Sequence, residues 1–253
     1  MTNRIGIAGI SGRMGRLLAE EAAAAAQLSG GTSRSGAAPA NAPLYPSISA
    51  LAAESDVVID FTHASTVSAH AAALAAARTP WVLGSTGYSA ADQAAIEAAA
   101  QLIPVIAAPN FCTGVNLLLI LAEKLGATLP PTGYDAEILE MHHRNKVDAP
   151  SGTALALGRA VAAGRGVNLE DVMASGRHGH TGPRQDGEIG FATLRGGQIV
   201  GSHTLSFTAA DEQISLTHHA LDRRVFATGA VRAAIWLRAQ QPGLYTMRDF
   251  LAL

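Results

Sequence analysis

What constrains this chain most is a rhythm before Asn110, where short apolar runs alternate with alanine-rich stretches. "RIGIA" (Arg4 to Ala8), "DVVIDF" (Asp56 to Phe61), "PWVLGS" (Pro80 to Ser85) and "IPVIAA" (Ile103 to Ala108) read as strands. Between them lie segments such as "RLLAEEAAAAAQ" (Arg16 to Gln27), whose alanines carry high helix propensity. Strands that are apolar on both faces must be covered on both, so the rhythm predicts a parallel sheet flanked by helices, a Rossmann-like doubly wound α/β arrangement.

After Asn110 the rhythm changes. "NLLLILAEKLGA" reads as a helix with Asn116 at its N-cap, "DAEILEMHH" as a strand and "SGTALALGRAVAAG" as a helix. "EIGFATLRGG", "QIVGSHTLSFTA" and "EQISLTHHA" follow as strands in hairpin order, predicting a second, α+β domain with a mostly antiparallel or mixed sheet. The last segment, "RVFATGAVRAAIWLRAQQPG", is helical again.

Composition removes several function classes. Of 253 residues, 48% are hydrophobic and 15% charged, with a formal charge of −2, which argues against disorder and against a basic nucleic-acid surface. The single cysteine, Cys112, allows no intramolecular disulfide and no multi-cysteine zinc site. Met1 to Arg4 leads directly into a strand without a signal-peptide pattern, and the longest apolar run, Val115 to Ala122, is too short to span a bilayer. The expectation is a cytoplasmic protein with no membrane or nucleic-acid partner.

Gly9, Gly12 and Gly15 stand between the first strand and the first helix. Such a turn lets backbone approach a pyrophosphate while the helix N-terminus offers free N–H groups; the alternative is a tight turn without a ligand. About twenty residues on, where a carboxylate would read the ribose of NAD, the chain has "GGTSRSG". Ser33 and Arg34 there suit a 2′-phosphate, which predicts NADPH over NADH, unless Arg34 is only a solvated loop charge. "GSTG" (Gly84 to Gly87) and "APNF" (Ala108 to Phe111) follow two later strands at the end where ligands bind such sheets, or are ordinary turns.

The segment "EMHHRNKVDAPSGTA" holds the densest chemistry. His142 and His143 leave a strand in opposite directions and so do not easily share a metal ion. Histidine can act as a general acid near neutral pH, and Lys146 adds a positive charge or a second proton donor. Pro150 fits the first turn of the next helix, with Ser151, Gly152 and Thr153 offering N–H groups and a hydroxyl to a carboxylate. Asp148 reads as a helix cap or a loop bond. The other reading of the histidines is a surface pair. His178, His180, His218 and His219 give too weak a pattern for a metal site, and none is expected.

Together "GISGRMG", "DFT", "GSTG", "APNF", "EMHHRNKVDAPSGTA", "RHGHTG", "GEIGFATLRGGQIVGSHTLSF" and "FATGAVRAAIWL" resemble the dihydrodipicolinate reductase family of lysine and diaminopimelate biosynthesis, nearly end to end. The resemblance implies reduction of 4-hydroxy-tetrahydrodipicolinate, a cyclic imine dicarboxylate, to tetrahydrodipicolinate by NADPH or NADH. It implies a dinucleotide-binding domain at 1–112 and 223–253, a substrate-binding and tetramerisation domain at 113–222, and a homotetramer. By motif, Gly9, Ile10, Ser11, Gly12, Arg13, Met14, Gly84, Ser85, Thr86, Ala108, Pro109, Asn110 and Phe111 would line the cofactor. His142 would be the proton donor and Lys146 the second, with His143, Gly152 and Thr153 touching substrate. Ser33 departs from the acidic residue that members often carry there. The rival functions are another nicotinamide-dependent dehydrogenase, such as one acting on an amino-acid semialdehyde, and a non-catalytic NADPH-sensing protein of the same fold.

Overall fold

The computed structural model describes residues 3–39 and 42–252, so the reading of the N-terminus at Met1 lies outside them. The chain divides into two compact units, Met1–Thr113 with Arg224–Leu253, and Gly114–Arg223.

The first unit begins β1 (Arg4–Ala8), α1 (Arg13–Ala25), β2 (Gln27–Gly31), α2 (Ile48–Ala53) and β3 (Val57–Asp60), then α3 (Val67–Ala76), β4 (Trp81–Leu83), α4 (Ala90–Ala100) and β5 (Pro104–Ala107). Side chains alternate along each strand and separate two cores. Ile5, Ile7, Val57, Ile59, Val82 and Ile106 meet Leu18, Ala19 and Ala22 of α1 on one face. Val58, Trp81, Leu83 and Val105 meet Leu51, Val67, Leu74 and Ile96 of α2, α3 and α4 on the other. Each fully buried aliphatic side chain contributes about 1.5–3 kcal/mol. The first helix starts at Arg13, a turn earlier than Arg16, because the Gly12 N–H closes the turn onto the Gly9 carbonyl at 3.0 Å.

The second unit comprises α5 (Thr113–Thr128, its first residue belonging to the first unit), β6 (Asp135–His142), α6 (Gly152–Gly164), α7 (Leu169–Val172), β7 (Met173–Ser175), β8 (Ile189–Arg195), β9 (Gly201–Thr208) and β10 (Gln213–Ala220). Its sheet runs β10-β9-β6-β8-β7 and is mixed. β6 is antiparallel to β9 and parallel to β8. Only β9 and β10 therefore form the expected hairpin; β6 separates β8 from β9. One face is covered by Leu118 and Ala122 of α5 and by Ala154, Leu157 and Val161 of α6, packed on Ala136, Ile138, Ile189, Phe191, Leu205 and Phe207. Asn116 lies inside the first turns of α5 and is not its cap. Pro150 precedes the N-cap of α6, which is Ser151, its Oγ accepting from Ala154 N at 3.2 Å.

The chain then returns to the first unit through α8 (Arg224–Leu237), β11 (Gly243–Tyr245) and α9 (Met247–Leu251). Ala227, Ala230, Val231, Ala234 and Leu237 of α8 fill the same core as α1. β11 pairs in parallel with β5, giving a six-stranded sheet in the order β11-β5-β4-β3-β1-β2. The strand order reverses between β1 and β3, and the carboxyl ends flanking that point are where open α/β sheets bind ligands.

Candidate active site

A cavity of about 620 Å³ opens at this reversal in the first unit. Gly9, Ser11 and Gly12 line it from the turn after β1, Thr32 to Ser35 from the end of β2, and Phe61 to His63, Ser65, Thr66 and His70 from beyond β3. The glycine turn has the shape of a phosphate cradle. Gly9 has a φ of 75°, and a Cβ at Gly15 would lie 2.1 Å from the Gly9 carbonyl oxygen and 2.8 Å from Ile10 Cα. Only backbone fits there, and the first-turn N–H groups of α1 belong to Arg13, Met14 and Gly15. The residues present fit a dinucleotide pyrophosphate.

Ser33 Oγ donates to Ser11 Oγ at 2.8 Å, tying the end of β2 to the glycine turn. Arg34 is exposed in the next turn and lines the cavity; none of the lining residues is acidic. Behind the wall, fully buried Asp60 ends β3. Its Oδ2 meets His70 Nδ1 at 2.6 Å, and its Oδ1 accepts from Thr62 N at 3.0 Å and Thr62 Oγ1 at 2.6 Å. Asp60 and His70 went unread in the sequence because ten residues and a helix start separate them.

The other expected cofactor residues divide. Ile10 is buried in the core, and Gly84 to Thr86 and Ala108 to Phe111 follow the carboxyl ends of β4 and β5 without lining the cavity. They reach its wall through Phe61: a Cβ at Gly84 would stand 2.4 Å from that ring, and the Phe111 ring centroid lies 5.6 Å from it. Buried Ser85 Oγ has no hydrogen-bond partner among the described residues.

The second unit carries a different site at the end of β6. Alternation places Ala136, Ile138, Glu140 and His142 on the buried face, so the hydrophobic core grades into two ionisable groups. Glu140 is 0% exposed. Its Oε2 lies 2.5 Å from His142 Nδ1, and Arg195 of β8 grips both oxygens, Nη1 to Oε2 at 2.9 Å and Nη2 to Oε1 at 2.8 Å. Oε1 also accepts from Ser151 N at 3.0 Å and Thr193 Oγ1 at 3.3 Å. His203 of β9 packs edge-on against His142, with ring centroids 5.1 Å apart, and its Nε2 lies 3.1 Å from Ser151 Oγ.

These contacts set the charges. Burial opposes ionisation of Glu140, but hydrogen bonds from Arg195 and His142 outweigh it and hold the carboxyl below its ordinary range. Burial pulls His142 below the ordinary histidine value, against the opposing pull of Glu140. His203 is lowered to about 4, first by burial and then by the neighbouring His142. An ionised carboxylate only accepts, so His142 Nδ1 is the donor and Nε2 is the atom left to exchange a proton. Space beside that atom is kept by Gly201, where a Cβ would lie 3.1 Å from Nε2.

Lys146 Nζ donates to Asp148 Oδ1 at 2.8 Å, so Asp148 is a loop bond and not a helix cap. His143 Nε2 lies 3.4 Å from Arg223 Nη2. Ser151 spends its N–H on Glu140 and its hydroxyl on the cap, which leaves Gly152 and Thr153 as the first-turn N–H groups without a partner among the described residues. Glu140, Arg195 and His203 were missed in the sequence. A period of two back from His142 reaches Glu140; the other two arrive through strand pairing. Among the described residues no three His, Cys, Asp or Glu side chains are arranged to hold a metal ion, and no helix is long and apolar enough to cross a membrane.

Residues 3–111 match the family model described as dihydrodipicolinate reductase, N-terminus, and residues 114–251 the one described as dihydrodipicolinate reductase, C-terminus. A 4-hydroxy-tetrahydrodipicolinate reductase of Granulibacter bethesdensis is 63% identical over 253 residues, covering 99% of this chain and 97% of its own. The reductase of the same name from Acidiphilium cryptum is 64% identical over 251 residues, covering 99% and 98%. Among solved structures, a dipicolinate-bound dihydrodipicolinate reductase from Paenisporosarcina sp. TG-14 has the same fold, with a TM-score of 0.80 at 24% identity over 97% of this chain and 98% of that one. The chain belongs to the dihydrodipicolinate reductase family.

Proposed function

We propose that the chain reduces 4-hydroxy-tetrahydrodipicolinate to tetrahydrodipicolinate with NADPH in preference to NADH, as a cytoplasmic homotetramer. The observation that carries the reading is the buried Glu140–His142 pair, 2.5 Å apart, beside a helix N-terminus with open N–H groups. Loss of the 4-hydroxyl as water, with a proton from the neighbouring carbon, leaves a conjugated ring imine, and a bound nicotinamide would supply the hydride that C4 of this ring then requires. His142 Nε2 gives the proton that the adjacent carbon must then take, and Lys146, held by Asp148, is the second donor. The Gly152 and Thr153 N–H groups, with the Thr153 hydroxyl and His143, hold a ring carboxylate, so orientation contributes much of the rate.

The glycine turn with Ile10 to Met14, the 84–86 loop and the 108–111 loop would hold the cofactor in the first unit, and the second unit would bind substrate. Ser33, Arg34 and a cavity wall without carboxylates favour the 2′-phosphate of NADPH. Buried Cys112 and the absence of other cysteines suit a reducing compartment. A face of the mixed sheet that keeps Leu139 and Leu194 exposed supports assembly through the second unit.

Oxidation of NADPH and NADH with freshly generated substrate tests the reading. His142→Ala and Lys146→Ala are each expected to lower kcat by about a hundredfold or more with nucleotide affinity unchanged. Near-wild-type turnover removes that residue from its role, and a strong preference for NADH overturns the 2′-phosphate reading.

A further inference from the structure

Five donors from three stretches of chain converge on one buried carboxylate. Glu140 takes His142 Nδ1, two Arg195 nitrogens, the Ser151 N–H and the Thr193 hydroxyl, which fills the roughly four lone-pair sites that a carboxylate offers. An ion pair of this depth does not recover its desolvation by Coulomb attraction alone, so removing either partner leaves a costly bare charge. Glu140 does three things at once: it fixes the His142 tautomer, it anchors the first turn of α6 through Ser151, and it accepts the Arg195 fork.

We propose that Glu140 and Arg195 are positioning residues for the proton donor: Glu140 orients His142 with Nε2 as its working atom and ties the Gly152–Thr153 turn to the same point, while Arg195 neutralises the carboxylate so that the imidazole can release its proton. This rests on His142 being the donor. The groups facing His142 are Glu140 on its own strand, Arg195 on β8, His203 on β9 and Lys146 in the following loop, which pairs with Asp148; Ser151, the N-cap of α6, bonds His203. Burial lowers the His142 proton affinity most, Glu140 raises it, and Lys146 and Arg195 lower it again. Glu140 and Arg195 therefore act on His142 with opposite signs.

The test uses the full chain with Glu140→Gln, Arg195→Met and Arg195→Lys, followed by imidazole NMR titration of His142 and by the pH profile of kcat/KM. A donor must be protonated, so activity falls as pH rises through its pKa. Glu140→Gln is expected to move the His142 titration and this limb to lower pH, and Arg195→Met to move both upward by about one unit. Arg195→Lys, which keeps the charge, should return both toward the wild type. Should Arg195→Met not fold, the double variant Glu140→Gln/Arg195→Met leaves no bare charge, and its imidazole must titrate below that of the wild type. A purely structural role would lower activity in each variant without shifting the limb, or shift both in the same direction; either result overturns the proposal. Opposite NMR shifts in a protein with no reductase activity would keep the coupling and sink the donor reading, whereas an active enzyme whose titration does not move would sink the coupling alone.

Discussion

At the scale of single residues, His203 shows how the site stays neutral away from its proton donor. It sits between His142 and Ser151, 4% exposed, with Nδ1 buried and without a hydrogen-bond partner among the described residues. Protonation there would add a second cation against His142, and its pKa is lowered to about 4 by burial first. The consequence for stability has a definite sign. Above pH 6.5 both folded and unfolded chains hold His203 neutral. As pH falls toward 4 the unfolded chain takes up a proton that the folded chain refuses, so stability is lost in that window and levels off below it. Between pH 7 and 5 this group alone should account for about 2 kcal/mol of lost stability. Urea unfolding at the two pH values checks it: His203→Gln should lose about that much less than the wild type, and equal losses would show that another group carries the acid sensitivity.

At the scale of elements, legibility followed how local the determining contacts are. β1, β3, β4 and β5 were readable because each is an apolar run in the sequence itself. β2 is "QLSGG", whose glycines have poor strand propensity; they are required because a Cβ at Gly31 would lie 2.4 Å from the Ile7 carbonyl oxygen. β11 has three residues and exists through its pairing with β5. β8 and β9 looked like a hairpin because they are neighbours in sequence, and nothing local says that β6 comes between them. The candidate site divides in the same way: the His142–Lys146 segment was visible as a motif, but Arg195 and His203 reach it from β8 and β9. The glycine turn is the element whose reading can be tested most directly. Gly15→Ala would drive a Cβ to 2.1 Å from the Gly9 carbonyl and distort the turn. Overpacking of this kind costs about 1–3 kcal/mol, and nicotinamide-nucleotide affinity should fall more than about tenfold because the cradle is backbone. Fluorescence titration with the nucleotide measures this, and unchanged affinity would remove the turn from binding.

At the scale of the whole molecule, each unit has its own core, and among the described residues the helices α5 and α6 of the second pack on one face of its sheet. The other face carries Thr204 paired with Thr217 at 3.1 Å, Ser206 with Ser215 at 3.1 Å, and Ser202 with His219 at 2.8 Å, a ladder of polar pairs along β9 and β10. Beside it, β6 and β8 pass from Glu137, bridged by Arg177 and Arg184, to an apolar end: Leu139 stands opposite Ala192 and Met141 opposite Leu194, with Leu194 51% exposed. A sheet ordinarily buries its apolar face against a second layer, and a contiguous exposed patch marks an interaction surface. On the homotetramer proposal, a second copy of the same sheet would supply that layer. Light scattering should give four times the chain mass. Leu139→Asp together with Leu194→Asp places two charges on the proposed contact, and it should yield smaller species with unchanged far-UV circular dichroism, since neither side chain belongs to the buried core of the unit. An assembly that keeps its full mass with both charges in place would move the contact off this sheet.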